Sequence, residues 1–180
     1  IRPERLDKAR TQSPIFLDHK EFQDHLRRTG RTPESGESVM GYYDGQNIYV
    51  DLQNGVETTR TVAHERLHML SDKQHRLSCD SRMHEGQTEY LMETMYPEVP
   101  IAGKGQSYEA ELRVARMMAA RAGTDAIAKA YFKGDKTDLE ARLGDGKLAE
   151  LTRLVEEKKY TDAEALVKRD HRGLEPIRGN

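Results

Sequence analysis

The amino-acid sequence predicts an α+β protein that is mainly helical, with a small antiparallel β-hairpin packed on one helix and a bundle of C-terminal helices. One pair of adjacent segments, 39–43 and 46–52, is rich in β-branched and aromatic residues, which favours strands. Apolar residues recur at helical spacing along most of the remaining chain. Charged residues make up 33% of the sequence and Trp is absent, but this recurrence of apolar positions favours a folded chain over a disordered one.

The N-terminal segment is predicted to contain one short helix. Residues 1–14 have mixed charge and no clear period, so they are interpreted as a tail or linker. Residues 17–28 place Phe22 and Leu26 one helical turn apart, and Asp18 is a suitable N-cap residue. An amphipathic helix is therefore expected here.

A hairpin is the strongest β signal in the chain. Its two strands, 39–43 and 46–52, are separated by Asp44 and Gly45, a residue pair that hairpin turns prefer. The polar stretch 31–37 before the hairpin is predicted to be a loop.

Two helices follow the hairpin. Residues 58–71 are rich in helix-forming residues, and residues 81–96 form a second helical stretch that has to end before Pro97. The segment between the two is expected to be a polar loop, and the Pro- and Gly-rich segment 97–106 a link.

The remainder of the chain is predicted to be helical throughout. Five segments carry the helical pattern: 108–122, 124–132, 137–143, 147–158 and 161–169. The last two are expected to form an antiparallel helical hairpin. These patterns predict a tail at 1–14, a catalytic domain at 15–133 and a helical appendage at 134–180.

Charge and cysteine content exclude several classes of function. Lys and Arg number 29 against 31 Asp and Glu, so no basic surplus indicates binding to nucleic acid or to an anionic membrane. Cys79 is the single cysteine and cannot form an internal disulfide. No stretch reaches the roughly 18 apolar residues of a transmembrane helix. The start at Ile1, without a signal segment, predicts that the chain was cut from a longer polypeptide that is secreted or delivered into a target cell.

Residues 64–68 form the sequence H-E-x-x-H inside a predicted helix. The i, i+4 spacing places His64 and His68 on one face, one turn apart, where both imidazoles can bind one metal ion. Glu65 lies beside that face and can reach a metal-bound water without becoming a ligand, as a general base requires. Arg66 lies on the opposite face and is expected to pair with a buried acid.

A catalytic zinc site needs a third protein ligand and an open fourth position. Glu85 lies 17 residues beyond His68, at the start of a helix that can return beside the first. Glu89 is one turn further along the same face, where its carboxylate can accept the second N–H of a ligating histidine. His84, His75 and Glu89 remain alternatives to Glu85 as the third ligand.

The H-E-x-x-H motif at 64–68, followed by Glu85-Gly86-x-x-Glu89, resembles the gluzincins, the thermolysin-like zinc peptidases. The resemblance covers about Val39 to Tyr96. It implies a zincin-like fold in which an edge strand of the hairpin lines the substrate cleft, so that a substrate backbone can pair as an added strand.

The resemblance also implies roles for individual residues. His64, His68 and Glu85 would be the ligands of Zn²⁺, Glu65 the catalytic base, and Glu89 the support of a histidine ligand.

A gluzincin also needs a donor for the oxyanion that forms when a carbonyl is attacked. Tyr108 is the first candidate because it opens the helix that follows the two metal-binding helices, and His84, Tyr90 and Arg113 are the alternatives. Cys79 could be a nucleophile or a further ligand, but without a Cys-x-x-Cys partner it is interpreted as a loop cysteine.

The predicted function is a zinc-dependent peptidase that acts on a protein or peptide substrate. Its expected setting is the toxin or effector domain of a larger bacterial secreted protein, with a cognate immunity or inhibitor protein as a partner. Two other functions fit the same residues: a protein-binding module with a structural metal site, and a zinc hydrolase of a non-peptide substrate.

Overall fold

The computed structural model describes residues 1, 3–31, 39–53, 58–78, 81–98 and 108–168. Cys79 and most of the predicted loop 31–37 and link 97–106 lie outside these residues. The described part contains ten helices and three strands: α1 (Pro3–Thr11), β1 (Ile15–Leu17), α2 (His19–Arg28), β2 (Gly41–Tyr43), β3 (Ile48–Asp51), α3 (Thr58–Leu70), α4 (Lys73–Ser78), α5 (Ser81–Met95), α6 (Glu109–Ala122), α7 (Thr124–Lys133), α8 (Thr137–Leu143), α9 (Lys147–Glu156) and α10 (Tyr160–Lys168). None of these helices is long and apolar enough to cross a membrane.

The predicted fold class is confirmed at the level of a mainly helical α+β protein, but the sheet is mixed rather than antiparallel. Its strand order is β1-β3-β2. β2 pairs antiparallel with β3, as the hairpin predicts, whereas β1 pairs in parallel with β3. β1 was not predicted, because a three-residue strand has no measurable period and its partner strand is far away along the chain.

The hairpin turn lies one residue later than predicted. The backbone N–H of Asp44 donates to the carbonyl of Asn47 over 3.1 Å, so Gly45 and Gln46 are the central residues of the turn. Gly45 has a φ of +100°, a conformation that glycine adopts without strain. The Asp44 carboxylate accepts hydrogen bonds from the backbone N–H groups of Gln46 and Asn47, which holds the turn closed.

Contacts between backbone positions group the chain into two compact units. The first comprises residues 1–71 and 88–109, and the second comprises 72–87 and 110–180. The predicted boundaries of the catalytic domain at residues 15 and 133 stay predictions.

In the first unit, the sheet lies between two helices. Alternation along β2 turns Tyr42 to one face, where it packs with Phe22 and Leu26 of α2 in a buried cluster. Gly41, the residue before it, faces α3 on the other side, against Thr61 and Glu65. The sheet therefore supports α3, which carries the H-E-x-x-H motif.

The N-terminus of α2 forms as the sequence predicts. Asp18 accepts a hydrogen bond from the backbone N–H of Glu21, while the Glu21 carboxylate accepts one from the N–H of Asp18, which makes a reciprocal capping box.

The first residues of the chain are folded, although they were interpreted as a tail or linker. α1 occupies residues 3–11, and its Ala9 is only 7% exposed. Nη1 of Arg5 donates to the carbonyl of Ser71 over 2.6 Å, just after α3 ends. A cation at this position satisfies a carbonyl at the C-terminal end of the helix and interacts favourably with the helix dipole.

The second unit is helical throughout its described residues. α7 packs on α4 and α8, α8 on α9, and α9 on α10. The α9–α10 pair is the predicted C-terminal helical hairpin. The fully buried side chains of this unit include Met118, Ile127, Tyr131, Leu139 and Val155.

His75, in the second unit, should make stability depend on pH. Burial lowers the pKa of His75 to about 4 from an ordinary 6.5, against the opposing effect of its hydrogen bond to Gln87. Between these two pH values the unfolded chain binds the proton and the folded chain does not, so the free energy of unfolding falls as the pH falls from 6.5 to 4. The expected loss is at most about 3 kcal/mol.

Urea unfolding of the wild type and of His75→Gln at pH 7, 5.5 and 4.5 measures this effect. The free energy of unfolding of the wild type should fall at acid pH more than that of His75→Gln does, because only the wild type has the buried imidazole to protonate. A difference that stays constant with pH would contradict the prediction.

Candidate metal centre

His64 and His68 direct their ring nitrogens at each other from successive turns of α3. Their Nε2 atoms are 2.9 Å apart, and both residues are 9% exposed. The two rings meet edge to face at an interplanar angle of 71°. Two nitrogens that converge in this way can bind a single ion between them.

Glu89 of α5 determines which nitrogen of His64 carries the proton. Its Oε1 lies 2.9 Å from Nδ1 of His64. Because a carboxylate only accepts hydrogen bonds, Nδ1 is the donor, and Nε2 keeps the lone pair that a metal needs. Glu89 therefore has the position that the sequence analysis expects for the support of a histidine ligand.

Arg60 is a part of this cluster that the sequence analysis missed. Its Nη2 donates to Oε2 of Glu89, so the two carboxylate oxygens are shared between Arg60 and His64. The side chains of Arg60 and Glu89 are each 9% exposed. A sequence signal exists, since Arg60 lies one turn before His64 on the same helical face.

Glu65 lies beside the two histidines. One ligand atom from each of His64, Glu65 and His68 falls within a group whose atoms are all within 4.8 Å of one another, and Glu65 is 6% exposed. Its Cγ would be 3.5 Å from a Cβ built at Gly41 of β2. The edge strand β2 therefore passes directly over the predicted catalytic base.

The donor set fits a zinc ion. Zinc binds imidazole nitrogens at roughly 2.0–2.1 Å in tetrahedral geometry, which requires a separation of about 3.3 Å between two ligating nitrogens. The observed 2.9 Å between the Nε2 atoms of His64 and His68 needs only a small opening. Ligation by both histidines also requires the ring of His68 to carry its proton on Nδ1, so that its Nε2 has a free lone pair.

A side chain at Gly41 should disturb this arrangement. A Cβ at this position would collide with the Cγ2 methyl of Thr61 and lie 3.0 Å from the carbonyl of Tyr49. Gly41→Ala is therefore expected to lower the free energy of unfolding by about 1–3 kcal/mol, as overpacking commonly does.

The matched variant Thr61→Ser removes the colliding methyl and keeps the hydroxyl. Urea unfolding should show that Gly41→Ala costs less stability in the Thr61→Ser background than in the wild type. An equal cost in both backgrounds would contradict this explanation.

Glu85, the predicted third ligand, is half-buried in α5. α5 is one continuous helix, so Glu85 lies one turn before Glu89 on the same face. Its role as a ligand stays a prediction.

The alternatives to Glu85 have other contacts. The Nε2 of His75 lies 2.7 Å from the side-chain oxygen of Gln87, and the His75 ring is fully buried. The ring of His84 stacks on Tyr131 with 4.8 Å between centroids. Glu89 is already shared by two basic side chains. These contacts favour packing and support roles for His75 and Glu89, whereas His84 and Glu85 both stay candidates for the third ligand.

The predicted oxyanion donors differ in their surroundings. Tyr108 is half-buried in the turn before α6, and Tyr90 is half-buried in α5. Arg113 is half-exposed and pairs with Glu164 of α10 over 3.2 Å, which makes it a poorer candidate. The assignment of Tyr108 stays a prediction.

Among the described residues, no buried acid is bonded to the Nε of Arg66, where the sequence predicts an ion pair. Within the described part of the chain, its Nε is buried and has no hydrogen-bond partner. The side chain as a whole is only half-buried.

Comparison with known proteins finds no matching family, no matching curated protein and no matching solved structure. Any assignment of function therefore depends on the chemistry of the residues at 60–68 and 85–89.

Proposed function

We propose that this protein is a zinc-dependent peptidase whose site resembles that of the gluzincins, on a zincin-like fold. The observation that carries the proposal is the convergence of the His64 and His68 Nε2 atoms, with Glu89 bonded to the far side of His64 and Glu65 beside the pair. This arrangement supplies two neutral nitrogen ligands and one carboxylate acceptor next to them.

His64, His68 and Glu85 would hold the ion. When bound, zinc lowers the pKa of a coordinated water and polarises the carbonyl that is to be attacked. The preference for Glu85 rests on its place in α5, because Glu89 on the same helical face is bonded to His64.

Each protein group then has a separate task. The Glu65 carboxylate accepts the proton of the attacking water and returns it to the leaving amine. Glu89 keeps the proton of His64 on Nδ1, so that Nε2 remains a ligand. Tyr108 is the proposed hydrogen-bond donor to the developing oxyanion.

A peptide is the substrate that the surroundings of Glu65 favour. β2 is an outer strand of the sheet, and its Gly41 lies directly over Glu65. An extended peptide that pairs with β2 would place its backbone carbonyls along this helix. The expected setting as a secreted effector or toxin domain, with a cognate inhibitor protein, is a prediction on which this site has no bearing.

Identification of newly formed protein termini tests the proposal. A cell lysate is incubated with zinc-loaded wild type, with Glu65→Ala, and with the exposed control Glu140→Ala. We expect cleavage sites that the wild type and the control share and that Glu65→Ala does not produce. The same sites with Glu65→Ala would rule out Glu65 as the base.

Elemental analysis of the same preparations separates the alternatives. We expect about one zinc per chain in the wild type and in Glu65→Ala, and a loss of zinc in His68→Ala. Bound zinc without any cleavage would favour a structural metal site, and cleavage of non-peptide bonds alone would favour another hydrolase.

A further inference from the structure

Glu111 of α6 is a buried acid outside the proposed catalytic groups. It is 2% exposed, although buried carboxylates are uncommon and need compensating partners. Two of its neighbours lie on the first turns of α5, the helix that carries Glu85.

The backbones of α5 and α6 touch at Gly86, the residue directly after Glu85. A Cβ at Gly86 would lie 2.6 Å from the carbonyl oxygen of Glu111 and 2.8 Å from its Cβ. Any other residue at this position would push the two helices apart, since real side chains do not approach so closely. Glycine at this position allows α6 to pack directly against the turn of α5 that contains Glu85.

The carboxylate of Glu111 reaches the same turn from its other end. Nη1 of Arg82 lies 3.3 Å from Oε1 of Glu111, and Arg82 is one turn before Gly86 on the same helical face. One residue of α6 therefore contacts α5 on both sides of Glu85, through its backbone at Gly86 and through its charge at Arg82.

Tyr160, the first residue of α10, completes the arrangement. Its hydroxyl donates a hydrogen bond to Oε1 of Glu111. Burial, together with the hydrogen bond and the charge of Glu111, raises the pKa of Tyr160 to about 12, so the hydroxyl remains a donor at any physiological pH. Arg82 and Tyr160 together satisfy a carboxylate that would be costly to bury alone.

We propose that Glu111 is a positioning residue for the metal site: with Tyr160 it fixes the Arg82–Gly86 turn of α5 and thereby the direction of the Glu85 carboxylate. The C-terminal helix α10 then contributes to metal binding through this contact. This inference rests on the proposed function, in that it takes Glu85 as the third ligand.

Zinc affinity, measured by competition with a chromogenic chelator, tests the inference in the full chain. Glu111→Gln keeps the shape of the side chain and removes its charge, and we expect it to weaken zinc binding about 10- to 100-fold, as loss of a group that orients a ligand typically does. Tyr160→Phe should weaken it in the same direction and is the variant to use if Glu111→Gln does not fold.

Glu164→Gln is the matched control. Glu164 joins the same two helices, because it pairs with Arg113 of α6 from α10, but it is more exposed than Glu111. It should bind zinc as the wild type does. An equal loss of affinity in Glu164→Gln would show that the effect reflects general loosening of the helices, and would overturn the inference.

A double-variant cycle distinguishes positioning from general stability. In the Glu85→Gln background, which lacks the ligand to be oriented, Glu111→Gln should cause little further loss of zinc affinity. An undiminished loss there, or wild-type affinity in the single Glu111→Gln variant, overturns the inference and leaves the proposed function intact. A wild type that binds no zinc would instead overturn the proposed function itself.

Discussion

Replacement of Glu65 by Gln is expected to abolish peptide hydrolysis while zinc remains bound. The amide keeps the size of the side chain but cannot accept a proton from water at neutral pH. Positioned general bases contribute about 10²–10⁴-fold to enzymatic rates, so kcat/KM should fall by at least that factor. Glu65 is only 6% exposed, and no bulk solvent is expected to replace it as the acceptor.

The measurement is the initial rate of cleavage of a peptide that contains a site found in the proteome experiment. Zinc content and the circular dichroism spectrum are recorded for the same samples, so that loss of metal or of fold is not mistaken for loss of the base. The exposed Glu140→Gln should retain the wild-type rate. Hydrolysis by Glu65→Gln within tenfold of the wild type would require another group to take the proton.

Glu89 should have the largest effect on stability of any charged residue in the candidate site. Glu89→Leu leaves Arg60 buried without the carboxylate to which it is bonded, and it removes the acceptor of His64 Nδ1. Breaking a buried ion pair on one side typically costs about 3–5 kcal/mol. Zinc affinity should also fall about 10- to 100-fold, since His64 loses the group that orients it.

The double variant Arg60→Met/Glu89→Leu separates these two effects. Removal of both charges should restore much of the free energy of unfolding, because neither member of the buried ion pair is then left without the other. Zinc affinity should stay low, since His64 still lacks its acceptor. Urea unfolding and chelator competition measure the two quantities. A double variant as unstable as Glu89→Leu would show that Arg60 is not the source of the instability.

Local patterns explain why much of this site could be predicted from the sequence. The i, i+4 relation of His64 and His68 is a property of any α-helix, and so is the placement of Glu85 and Glu89 on one face. The cap at Asp18 likewise depends on neighbours within one turn. These features needed no knowledge of tertiary structure, and the structure places each of them on the expected helix.

The features that were missed depend on residues far apart in sequence. β1 forms because residues 15–17 pair with 49–51, and α1 packs on the helix that begins at Thr58. The spacing of Arg60 from His64 indicates a shared helical face, but the ion pair of Arg60 with Glu89 joins residues 29 positions apart and is visible only in the structure. The zincin-like fold and the identity of the third ligand depend on the same kind of long-range geometry, and both remain proposals.

The hydrogen bond from Arg5 to Ser71 has a practical consequence for the boundaries of the protein. It joins the N-terminal helix to the end of the helix that bears both histidines, so α1 belongs to the same compact unit as the H-E-x-x-H sequence. Proteolytic cleavage between Thr11 and Ile15 would leave the H-E-x-x-H sequence intact. Arg5, which bonds to the carbonyl of Ser71 at the end of α3, would then no longer be covalently linked to the rest of the chain. Shortened versions of the protein intended for assays should therefore begin no later than Pro3.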